Sequence, residues 1–130
     1  MVDQNNESAA VWKGVLALLK TDYSWNSFIV EGVAVLPEFV AAAMKDVEGL
    51  RPIFLYEDRP DRIREVVFKR GLWDDADKYD DDLKAKEIEW VVLFNDFIKG
   101  EAAKYGFSLV QYKDDGSHFD EIKKLCDNDD

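Results

Sequence analysis

Three short apolar runs, each separated from the next by a connection long enough for a helix, constrain this chain more than any other feature. They are SFIV at residues 27–30, PIFLY at 52–56 and FSLVQY at 107–112. β-Branched and aromatic residues dominate them, as in strands that pack on a pleated surface. A tight hairpin cannot join strands so far apart in sequence, whereas parallel strands require long crossovers that helices usually supply. PIFLY is apolar throughout, which predicts cover on both faces. The expectation is an α/β fold in three layers, a mostly parallel sheet of about three strands with flanking helices.

The connecting segments carry helical spacing. Val11, Val15 and Leu18, with Trp12, Leu16 and Leu19 beside them, predict a helix over 8–20. Pro37 suits the first turn of a second helix, where its missing N–H would be unpaired anyway. Phe39, Val40, Ala43 and Met44 give that helix its apolar side, and Gly49 closes the connection. EDRP reads as a loop, and a third helix from Asp61 turns Ile63, Val66 and Val67 inward. Gly71 and LWDDADKYDDD interrupt the pattern. The longest helix is predicted over 82–105, from Leu83, Trp90, Phe94 and Phe97 with Val91, Ile98, Ala102 and Tyr105. Gly106 is placed to cap its C-terminus. Ser117 is placed to cap a short last helix through Ile122 and Leu125. With no internal repeat and no linker, residues 1–130 are expected to form one domain whose tail, 126–130, frays.

A chain of 130 residues, 47% hydrophobic and 13% aromatic, is able to bury a core without disulfides. The single Cys126 cannot form an internal disulfide, and beside the single His118 it makes no zinc spacing, so no metal site is predicted. A reducing, cytoplasmic setting follows as the expectation. The N-terminus MVDQNNESAA is polar and acidic, unlike a signal peptide. No apolar run approaches the roughly 18 residues of a membrane span. The net charge of −11 repels nucleic acid and anionic membranes, so neither is expected as a partner.

Glu31 and Gly32 follow the first apolar run directly. A carboxylate at the carboxyl end of a strand sits where open α/β sheets collect their active groups, and there it would hold Mg²⁺ through water or accept a hydroxyl proton. The alternative is a plain turn. Residues 51–70 carry Arg51, Arg59, Arg62, Arg64, Lys69 and Arg70 against Glu57, Asp58, Asp61 and Glu65, a positive window in an acidic chain. Arginine forks grip phosphate oxygens at two points, with Arg59, Arg62 and Arg70 the residues expected to do so. The alternative is a solvated helix with ordinary ion pairs. Residues 74–82 hold six aspartates in nine, but lack the glycine and glutamate register of a calcium loop and read as a solvated connection. Asp115, Ser117 and His118 are too close in sequence for a hydrolytic relay and read as helix capping. Trp12, Trp73 and Trp90 are expected in the core, and Trp25 partly exposed. Cys126 has no base nearby to activate it.

FIVEGVAVLPEFV, RPIFLYED, the basic helix after it and EAAKYGFSLVQY together resemble the later part of P-loop small-molecule kinases, over roughly residues 8–112. The likeness is greatest to nucleoside/nucleotide-kinase-like and 2-phosphoglycerate-kinase-like members. In those proteins a strand ending in Glu-Gly and a Leu-Pro helix start follow the substrate-binding helices, and the basic segment forms a lid near the transferred group. The resemblance implies Glu31 as catalytic acid or base and Gly32, Arg59, Arg62 and Arg70 as substrate-binding. The family's G-x-x-x-x-G-K-[ST] loop is absent from this sequence, which implies a chain beginning after it. ATP and Mg²⁺ are then cofactors only where another polypeptide supplies that loop. The reading is a truncated or degenerate phosphotransferase relative with a remnant crevice for a phosphorylated small molecule. Its rival is a non-catalytic binding or assembly module, a homodimer or a body completed by another chain, because a sheet deprived of a central strand leaves edges that seek partners.

Overall fold

The computed structural model describes residues 2–21, 27–70 and 76–127. The chain divides into two compact units, Met1–Pro52 and Ile53–Asp130.

The N-terminal unit consists of two helices, α1 (Val2–Leu19) and α2 (Pro37–Ala43). Helix α1 begins six residues before the expected Ser8. Asp3 lies in its first turn, where a negative charge suits the helix dipole, and Gln4 donates a side-chain hydrogen bond to Ser8 Oγ one turn on. Ser8 is a buried residue of the helix interior. The two helices meet through the stacked rings of Trp12 and Phe39, 5.8 Å between centres. Leu36, Pro37, Val40 and Ala43 are buried with Trp12. Pro37 occupies the first turn of α2 as its chemistry requires. Met44, expected inward, stands outside the helix end and is exposed.

Residues 27–30 correct the strand expected there: they adopt no strand, and Ile29 is 90% exposed. Composition makes a run suitable for a sheet, but a strand exists only where a neighbour accepts its backbone hydrogen bonds, and a four-residue run does not specify one.

The C-terminal unit runs β1 (Ile53–Tyr56), α3 (Pro60–Lys69), a 3₁₀ turn at Ala76–Lys78, α4 (Asp81–Lys104), β2 (Ser108–Gln111) and α5 (Ser117–Asp127). Strands β1 and β2 pair in parallel, with Ile53 opposite Ser108 and Tyr56 opposite Gln111. The described sheet has these two strands. Helix α4 packs on both strands and on α3, while α5 packs on β2. Phe54, Ile63, Val67, Ile98, Ala102 and Val110 form the buried core. Leu55 corrects the expectation that β1 is covered on both faces, since it is 52% exposed.

Local chemistry accounts for the boundaries. Pro60 opens α3 one residue before the expected Asp61. Asp80 caps α4, accepting from the Leu83 amide at 2.9 Å, and Asp81 and Asp82 lie in its first turn. The end of the aspartate run, expected as a solvated connection, is thus the start of a helix. Gly106 follows α4 at φ +70°, the left-handed position glycine adopts without Cβ strain. Helix α5 takes in Cys126 and Asp127 of the expected tail. Trp25, Gly71, Trp73 and the aspartates at 74 and 75 lie outside the described residues.

Candidate functional site

Because β1 and β2 run in parallel, their carboxyl ends emerge on the same edge of the sheet. One end continues into Glu57, Asp58 and Arg59, the other into Tyr112, Lys113, Asp114 and Asp115. The pairing extends one bond beyond the strands, from the Tyr112 amide to the Tyr56 carbonyl at 2.9 Å. Between the two ends lies an open groove of about 370 Å³ lined by Arg59, Gln111, Tyr112, Lys113, Asp114 and Asp115.

Glu57 organises the β1 side. Its backbone amide donates to Asn95 Oδ1 at 2.7 Å, which ties the loop to α4. Its carboxylate accepts from the Arg59 backbone amide at 3.0 Å and takes the Arg59 guanidinium at two points, Nε to Oε1 at 2.8 Å and Nη2 to Oε2 at 2.7 Å. Such forked pairs are the strong ones among charged contacts. The Arg59 side chain holds the Glu57 carboxyl below the usual carboxylate range, with burial pulling the other way. Glu57 in turn holds the Arg59 guanidinium above its ordinary value. Beside them Asp58 accepts from Gln111 Nε2 at 2.8 Å and pairs with Lys99 Nζ at 3.3 Å.

Asp114 joins the two sides. Its Oδ2 lies 3.4 Å from Arg59 Nη1, and its Oδ1 lies 3.0 Å from Arg62 Nε. Arg62 also donates to Glu65 Oε2 at 3.0 Å, and its guanidinium lies 5.8 Å from the centre of the Tyr112 ring. Hydrogen bonds that it donates to Glu65 first, and then to Tyr112, raise the Arg62 guanidinium above its ordinary value.

The loop carrying Asp114 is tied down at its base. The Lys113 amide donates to His118 Nδ1 at 3.2 Å, the Gly116 amide to the Lys113 carbonyl at 3.1 Å, and the Ser117 amide to Asp115 Oδ1 at 2.9 Å. Those bonds from the Ser117 backbone and side chain hold the Asp115 carboxyl low. His118 is buried against Tyr112 and Phe119, with ring centres 4.6 and 4.2 Å away. The Asp115, Ser117 and His118 trio is thus structural, as its spacing suggests, although the capping side chain is Asp115, with Ser117 giving its amide.

Of the residues singled out from the sequence, Arg59 lines this groove, and Arg62 reaches Asp114 of its lining at 3.0 Å. Arg70 terminates α3 at the far end, about 16 Å along the axis at 1.5 Å per residue, and its backbone amide donates to Val66 and Val67. Glu31 and Gly32 belong to the N-terminal unit. With no strand over 27–30, Glu31 is an exposed loop residue, and Gly32 at φ +148° makes a turn closed by the Val35 amide on its carbonyl at 3.2 Å. The residues that do stand at strand ends include Glu57, Asp58 and Asp114, which the sequence reading passed over. Their signal in the sequence is their place just after the apolar runs PIFLY and FSLVQY, as Glu31 follows SFIV.

Among the described residues no three of His, Cys, Asp and Glu gather in a way that could hold a metal ion. No described helix is long and apolar enough to cross a membrane. No family model, curated protein or solved structure matches the chain.

Proposed function

We propose that this chain is a P-loop-kinase-like α/β body that binds a phosphorylated small molecule, in the cytoplasm, at the carboxyl ends of β1 and β2. The observation that carries the reading is the convergence of the Arg59 and Arg62 guanidinium groups on the Asp114 carboxylate at the edge of a parallel sheet. Ligands of open α/β sheets bind outside the strand carboxyl ends, and arginine is the residue suited to two-point oxyanion recognition. In this reading the two strands belong to a larger three-layer sheet, and phosphoryl transfer from ATP with Mg²⁺ requires a glycine-rich loop from another polypeptide. Glu31 keeps its catalytic role within that assembly, and Arg70, at the far end of α3, acts only if the assembly brings it to the groove.

Calorimetric titration with inorganic phosphate, pyrophosphate and 2-phosphoglycerate tests the groove. Saturable binding should weaken by at least about tenfold in the double variant Arg59→Gln, Arg62→Gln, since a hydrogen bond to a charged group contributes about 1.5–3 kcal/mol. Binding that survives unchanged in that variant overturns the assignment.

A second reading, a non-catalytic assembly module, is favoured by a different observation. Each described strand has one hydrogen-bonded neighbour, and Leu55 of β1 is exposed. A short parallel pair is a sheet with edges to fill, which a second copy of the chain would do.

A further inference from the structure

The slot between Arg59 and Arg62 already has an occupant. Asp114 presents two carboxylate oxygens, each facing a different guanidinium, at 3.4 and 3.0 Å. Arg59 Nη1 donates a hydrogen bond to Oδ2, whereas Arg62 Nε faces Oδ1 as an ion pair and its own N–H has no hydrogen-bond acceptor among the described residues. A phosphate offers oxygens to both guanidinium groups. We propose that Asp114 is an internal stand-in for the ligand, so that a phosphate-bearing molecule binds this groove by displacing the Asp114 carboxylate. The inference rests on the groove reading above and adds a regulatory residue to it.

Three features make the displacement feasible. The Asp114 side chain is 57% exposed, so the carboxylate leaves toward water at small desolvation cost. The surrounding backbone is anchored at Lys113, Gly116 and Ser117, so release needs only a side-chain rotation at Asp114. Arg59 and Arg62 stay in position once Asp114 leaves, because Glu57 grips Arg59 at two points and Glu65 pairs with Arg62. The vacated slot is therefore preorganised. Exposed ion pairs are weak, so a phosphate, with more charge and more acceptor oxygens, competes with this one.

An occupied slot lowers apparent affinity by the fraction of time it is open. Asp114→Asn keeps the side chain's shape and removes its charge, and should bind pyrophosphate about tenfold more tightly than the unaltered protein. Asp114→Ala should do the same, which guards against a folding defect peculiar to one variant. Asp120→Asn, an exposed position on α5, changes net charge equally without touching the arginines and should leave affinity unchanged. Combining Asp114→Asn with Arg59→Gln and Arg62→Gln should abolish the gain. The readout is the Kd of pyrophosphate from calorimetry at constant ionic strength, with far-UV circular dichroism confirming each fold. Equal affinity in the unaltered protein and both Asp114 variants refutes the stand-in while leaving the groove intact. An equal gain from Asp120→Asn reduces the effect to net charge and also refutes it. No binding by any variant removes the groove reading itself, and this inference with it.

Discussion

Glu57 shows how much of this groove depends on one side chain. It accepts from Arg59 through backbone and guanidinium, while its own amide is held by Asn95 of α4. Its carboxyl is held low chiefly by the hydrogen bond from Arg59. A carboxyl lowered on folding stabilises the native state fully above its unfolded pKa, about 4.3, and loses that contribution as pH falls toward the folded value. Glu57→Gln should therefore lower the urea midpoint at pH 7, and the gap to the unaltered protein should narrow as pH is taken down to about 3.5. A gap that stays constant with pH would show that the ionised carboxylate is not the source. None of this is visible in the letters EDR, because the fork between Glu57 and Arg59 requires the turn after β1 that brings them together.

Helix α4 offers the sharpest comparison among the elements. Its one glycine and the glycine after it sit in different backbone states with open space around both: Gly100 inside the helix and Gly106 just past its end at φ +70°. Gly100→Ala should stabilise by about 0.5–1 kcal/mol, because alanine has less chain entropy to lose and its Cβ meets nothing. Gly106→Ala should destabilise by about 1 kcal/mol, from the left-handed backbone alone. Urea denaturation of the two variants should give midpoint shifts of opposite sign. This helix was legible beforehand, since its apolar spacing runs for six turns and ends at a glycine. Helix α1 was only partly so, because its first residues, VDQNNE, are mostly polar and carry no apolar spacing to mark them. The run at 27–30 misled for a deeper reason, since a strand is a property of a pair.

At the scale of the whole molecule, a parallel pair with one exposed apolar position, Leu55, is the feature most open to completion by another chain. A homodimer is expected. Sedimentation at about 50 μM should show a species near twice the 15.0 kDa of the chain, and the melting temperature should rise with concentration. A single monomeric species over that range, with a constant melting temperature, excludes it. The amino-acid order sufficed for the α/β class and for the long helix and its glycine end, because periodicity and capping act within a few residues. Which strands pair and which carboxylates meet Arg59 and Arg62 were settled only by folding. Asp114 is more than fifty residues from Arg59 and Arg62, and chemistry between them arises only once β1 and β2 have aligned.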